Sequence, residues 1–222
     1  MPTRLRSKYA YTSTAMGYKY HEDEILAAAV ESVLEQGLSA LTFGRLAKRI
    51  GIGDRAIVYY FPTKSALITR TVTEPAGQLQ GLLIEAFGPG RLSKDELVRR
   101  AWPVLASPSA DPVFSVFFEL VGLAAAAVQP FDVLAQTVMQ SWVEWLVPHV
   151  EAPENEARAV AYATVATLDG LLLLRHTLGP RIANLAAQEL SRPLDEDVGC
   201  HVLLSGSEPP PGPPRTARRT KQ

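Results

Sequence analysis

Along most of the chain, apolar residues recur three or four positions apart, and short polar or glycine–proline breaks separate these stretches, the pattern of amphipathic helices. Ile25, Leu26, Ala29, Val30, Val33 and Leu34 form one such stripe and predict a helix over about 22–36. Glu22, Asp23 and Glu24 stand at its start, where the helix dipole favours negative charge. With His21 they do not read as metal ligands, because consecutive helical positions face different directions. Further helical patterns cover about 63–87, 93–107, 111–128, 131–147, 153–178 and 181–190. Pro75 is expected to kink or interrupt the first of these and Pro103 to disturb the second. Gly88-Pro89-Gly90 and Gly179-Pro180 are stops. Nothing alternates at period two for long enough to predict a sheet, so the expected fold is all-α.

The segment from Leu41 to Lys64, LTFGRLAKRIGIGDRAIVYYFPTK, has a finer pattern. Thr42 stands where an N-cap belongs, since its hydroxyl can accept a backbone N–H that the first turn leaves unpaired. Leu41 and Leu46 are spaced for a hydrophobic staple. Phe43, Leu46, Ala47 and Ile50 make one apolar face, and Gly51 supplies the left-handed residue that ends the helix. Gly53 and Asp54 restart a helix in which Ile57 and Phe61 face inward, and Pro62 closes it. Two short helices joined by a tight turn make a helix-turn-helix, whose second helix is the one expected in a DNA major groove.

Charge supports a polyanionic partner. Residues 1–70 carry ten Lys and Arg against six Asp and Glu, residues 71–207 eight against sixteen, and the last fifteen residues four against one. A basic end beside an acidic body orients the molecule toward phosphate. Arg55, near the start of the second helix, has the reach for a bidentate contact to a guanine edge, and Ala56 permits close approach or meets a thymine methyl. Arg45 and Lys48 on the preceding helix suit backbone contacts. Residues 1–20 lack an apolar period and read as a disordered basic arm, whose Arg4 and Arg6 suit a minor groove. The Pro-rich basic tail, 198–222, also reads as disordered.

With the preceding EDEILAAAVESVLEQG and the following TKSALI, the segment resembles the DNA-binding domain of the tetracycline-repressor (TetR) family of bacterial regulators. Gly37, Thr42, Leu46, Ala47, Gly51, Ile52, Ile57, Tyr59, Tyr60, Phe61 and Lys64 carry the resemblance. It implies base and phosphate contacts from Tyr59 and Tyr60 and a phosphate anchor at Lys64. Asp54 and Val58 depart from the pattern, where relatives have a neutral or basic residue and an aromatic one. The resemblance also implies the architecture: a three-helix DNA-binding domain over 21–66, joined to a larger helical bundle over 67–197 that binds an effector and dimerises. Trp102, Phe118, Trp142 and His176 are the candidate effector residues, although large apolar side chains of this kind ordinarily form core. Ala157, Ala161, Thr164, Leu168, Leu171 and Leu172 resemble the family's dimer-forming face.

The expected partners are thus double-stranded operator DNA, a second copy of the chain and a small apolar effector, with repression relieved by that effector. No cofactor or metal is expected. Nucleophile-elbow, paired-cysteine, zinc-protease and phosphate-loop patterns are absent, and the four histidines, with His21 beside the acidic helix start, have no obvious catalytic partner nearby in sequence, so an enzyme is not expected. LDGLLLL, interrupted by Asp169 and followed by Arg175, is too short to span a bilayer, and no membrane partner is expected. The single cysteine, Cys200, suits a reducing cytoplasm. The alternative is a helical protein-interaction module whose helix-turn-helix binds DNA without specificity or not at all.

Overall fold

Helices begin where a short hydroxyl side chain can accept a backbone N–H and end where glycine can turn the chain. In the computed structural model, which describes residues 21–191, the order is α1 (Glu22–Gln36), α2 (Phe43–Ile50), α3 (Asp54–Tyr60), α4 (Lys64–Phe87), α5 (Lys94–Leu105), α6 (Asp111–Ala125), α7 (Phe131–Leu146), α8 (Glu154–Leu178) and α9 (Pro180–Leu190). The hydroxyls of Thr42, Thr63 and Ser93 cap α2, α4 and α5, accepting from the amides of Arg45 (3.2 Å), Ala66 (3.0 Å) and Glu96 (3.3 Å). Gly51 leaves α2 at φ +73, in the left-handed region that glycine enters without a Cβ penalty. The described residues contain no strand, only an isolated bridge between Leu92 and Val150.

Two of the expected disturbances do not occur. α4 runs through Pro75 without interruption, although the missing N–H leaves the Thr71 carbonyl without its intrahelical donor. Pro75 and Thr71 are both buried, and packing along the whole length of α4 outweighs the local loss. Pro103 falls in the last turn of α5, where it coincides with the helix end.

The core forms two clusters. The first joins α1, α2, α3 and the start of α4 to Val116 and Leu120 of α6 and to Phe131, Leu134 and Val138 of α7. The second gathers the end of α4 with α5, the end of α7, α8 and α9. Trp142 packs against both. The helix-turn-helix therefore shares its core with α6 and α7. The expected arm with Arg4 and Arg6, the tail and Cys200 lie outside the described residues.

By length and composition alone, α8 is long and apolar enough to cross a membrane, with a mean hydropathy of 1.4 over an 18-residue window. This differs from the expectation drawn from the short LDGLLLL run, since alanines and valines extend the apolar composition across the whole helix. Its Ala157, Ala161, Thr164, Leu168, Leu171 and Leu172, expected at a dimer face, are instead buried within the chain, where α8 packs with α5, α7 and α9.

Candidate DNA-contacting face and ligand cavity

Residues buried at helical spacing determine which side of α3 is left outward. Ile57 (0% exposed) and Phe61 (2%) anchor it against α1 and α2 in the first cluster. Arg55, Val58 and Tyr59 then face solvent, as does Lys64 at the start of α4. Tyr59 is 75% exposed, while Tyr60 is half-buried against the core and meets Tyr59 edge-on at 5.0 Å between ring centroids. The tyrosine pair thus divides into one outward ring and one supporting ring. Ala56 is half-buried on the same helix.

Asp54 is exposed at the start of α3, close to α2. A Cβ built on Gly44 would lie 3.8 Å from an Asp54 carboxylate oxygen, so the carboxylate sits beside the first turn of α2. Negative charge is favoured there by that helix's unpaired amides. The residue that departs from the TetR pattern is therefore accommodated within the motif. Thr42 spends its hydroxyl on its cap, and the Arg45 guanidinium donates to the Ala40 carbonyl at 3.3 Å while remaining exposed. Arg49 locks α2 to α1 by ion pairs with Glu35 (2.8 Å) and Glu31 (3.4 Å). The hydrogen bond to Arg49 is the main cause holding the Glu35 carboxyl below its ordinary value.

A cavity of about 90 Å³ lies between the two core clusters, several times the space one water requires. Val30, Val33 and Leu34 of α1 form part of its wall, so the helix that packs on the helix-turn-helix borders it directly. α4 and α5 add aliphatic surface and Phe87, α6 adds Phe114 and Phe117, and α7 adds Trp142 and Trp145. Of the four residues expected to bind an effector, only Trp142 lines this cavity. Trp102 is buried between α5 and α9, its indole N–H donating to Asn184 Oδ1 at 2.9 Å. Phe118 packs on His176 at 5.3 Å, outside the cavity and with His176 exposed.

α8 contributes Val165, Leu168, Asp169 and Leu172 to the wall. Burial alone raises the Asp169 carboxyl to about 6. In the sequence this residue stands only as a charge interrupting an apolar run. Its signal was its place on the same helical face as Val165, Leu168 and Leu172.

α6 is held at both ends of the stretch that borders the cavity. Arg175 of α8 makes a bidentate pair with Asp111 (2.8 and 2.9 Å). Two turns further on, Glu119 accepts from the amides of Leu38 (2.7 Å) and Ser39 (2.9 Å) and from the Ser39 hydroxyl (2.6 Å), just after α1. Burial acts to raise the Glu119 pKa, and these three hydrogen bonds outweigh it, leaving the carboxyl below its ordinary value.

An exposed α3 presenting Arg55 and Tyr59 is thus carried by a helical body with a largely apolar cavity, a helix-turn-helix architecture. Residues 25–71 match the family model described as bacterial regulatory proteins, tetR family. The HTH-type transcriptional regulator BetI of Escherichia coli O127:H6 is 22% identical over 186 residues, covering 81% of this chain and 90% of that protein. Among solved structures, a TetR transcriptional regulator from Legionella pneumophila superposes with a TM-score of 0.55 at 19% identity, over 79% of this chain and 97% of that one. The multidrug binding protein EbrR, solved in complex with proflavin, gives 0.52 at 21% identity, over 76% and 98%. Residues 25–71 thus form a tetR-type DNA-binding segment, and over about four fifths of its length the chain resembles TetR-family transcriptional regulators.

Proposed function

We propose that the protein is a cytoplasmic homodimeric repressor that leaves a pseudopalindromic operator when a small, largely apolar molecule fills the cavity. The observation that carries this reading is the shared wall: Val30, Val33 and Leu34 of α1 face the same space as the body helices. A molecule that fits only one arrangement of α1 and α6 shifts the population toward that arrangement, and operator affinity changes by linkage. α6 offers a second route, from the cavity at Phe114 and Phe117 to the turn after α1 through Glu119. EbrR, a protein of similar fold, has been solved with proflavin bound, which supports a ligand in such a body.

On DNA, Arg55 and Tyr59 read base edges, Ala56 allows the approach, and Lys64, Arg45 and Tyr60 hold or support backbone contacts, with Thr42 setting the start of α2. Dimerisation falls to α8 and α9, where Tyr162 (52%), Leu173 (49%), Leu178 (62%) and Leu185 (51%) leave apolar surface in solvent. A two-fold dimer presents two α3 helices about one DNA turn apart, roughly 34–36 Å.

The test is binding to DNA from upstream of the protein's own gene, at two salt concentrations and against scrambled competitor. The wild type should bind tightly and resist competitor, and Arg55→Ala with Tyr59→Ala should lose the sequence preference. Equal, weak binding by both proteins to any sequence would favour the interaction-module reading instead.

A further inference from the structure

Asp169 is the one ionisable side chain on the cavity wall among the described residues, and the surfaces around it are aliphatic and aromatic. Among the described residues its carboxyl has no hydrogen-bond or ion-pair partner. No cation of α8 or of the helices packed on it lines the cavity, and Arg181 of α9 is exposed to solvent. Arg100 binds Glu96, Arg158 binds Glu144 and Arg175 binds Asp111, and none of them reaches the wall. The polar group of Thr71, also on the wall, is spent on the Leu67 carbonyl at 2.7 Å. A lone carboxylate in such a space destabilises the fold unless a countercharge joins it. Phe87, Phe114, Phe117, Trp142 and Trp145 offer ring faces, which attract cations.

We propose that the cavity binds an apolar cation, an aromatic or alkyl amine or a quaternary ammonium, whose charge pairs with Asp169. The proposal rests on reading the cavity as the effector site and sharpens it: the aromatic wall takes the apolar body of the ligand, and Asp169 selects for positive charge. A neutral molecule of the same shape leaves the carboxylate uncompensated and gains only its apolar contacts.

Two isosteres separate these contributions: benzyltrimethylammonium, permanently charged, and neopentylbenzene, in which carbon replaces nitrogen. Calorimetric titration of the full chain near neutral pH should give at least about tenfold tighter binding of the cation, the equivalent of one modest charge contact. Asp169→Asn should erase that preference while changing the affinity for neopentylbenzene less than about threefold, which also certifies that the variant's cavity is intact. Equal binding of the two isosteres by the wild type, or a preference that survives in Asp169→Asn, would overturn the assignment. So would failure of the cation to bind. Selective cation binding that leaves operator affinity unchanged would instead keep the cation site and remove its role as effector site.

Discussion

Gly37 and Glu119 are coupled in a way that a double-mutant cycle can measure. Gly37 sits at φ +83 and ψ 169, a region occupied essentially by glycine alone, and a Cβ there would lie 2.6 Å from Glu119 Oε2. Gly37→Ala therefore adds backbone strain of about 1–3 kcal/mol and also pushes away the carboxylate that binds Leu38 and Ser39. Each hydrogen bond to a charged acceptor is worth about 1.5–3 kcal/mol when water is excluded; here Ser39 is exposed and water replaces much of the loss, so removing all three costs about 1–2 kcal/mol. Glu119→Ala should thus cost about 1–2 kcal/mol in the wild type and almost nothing once Gly37→Ala has displaced the carboxylate, a less-than-additive coupling of about 1–2 kcal/mol. Urea unfolding followed by circular dichroism supplies the four stabilities. The depressed pKa fixes the pH behaviour: the contribution of Glu119 is present above its unfolded value of 4.5 and is lost as pH falls through the lower folded value. Full additivity, with Glu119→Ala equally costly in both backgrounds, would refute the clamp.

Asp169→Asn should stabilise the ligand-free protein near neutral pH. The raised pKa, about 6 against 3.8, makes the native state relatively favoured while the carboxyl is protonated and disfavours it as pH rises through about 6. The resulting gain is of the order of 3 kcal/mol at most, and thermal scans should show it shrinking as pH falls toward 4. Thr42→Ala removes the N-cap of α2 and should cost about 1 kcal/mol, read by chemical denaturation, with operator affinity falling through loss of α2–α3 order. Leu173→Glu with Leu185→Glu should convert a dimer to monomers in sedimentation and weaken operator binding, while leaving α-helical content intact.

The helix-turn-helix was legible because its signals are local. Thr42 and Gly51 lie within one turn of the helix ends that they define, and the apolar face of each short helix follows from spacing alone. The cavity was not legible, because periodicity tells which face of a helix is apolar but not whether that face meets a neighbour or a void. Trp102 is large and aromatic, yet its partner Asn184 stands 82 positions away and fills the space beside it. Phe118 and His176 face each other, not the interior space that Trp142 borders. Glu119 reads as an ordinary helical acid until the fold brings Leu38 and Ser39 to it across some eighty residues. Pro75 shows the opposite imbalance: a strong local signal for interruption is overridden by burial along α4.

Reciprocal linkage tests most directly whether cavity occupancy and DNA binding are one equilibrium. Operator affinity would be measured with and without saturating cavity ligand, and ligand affinity with and without saturating operator. The account predicts that both fall by the same factor, about 5–150-fold for a coupling of 1–3 kcal/mol. An operator affinity unchanged by a ligand that demonstrably fills the cavity would contradict it.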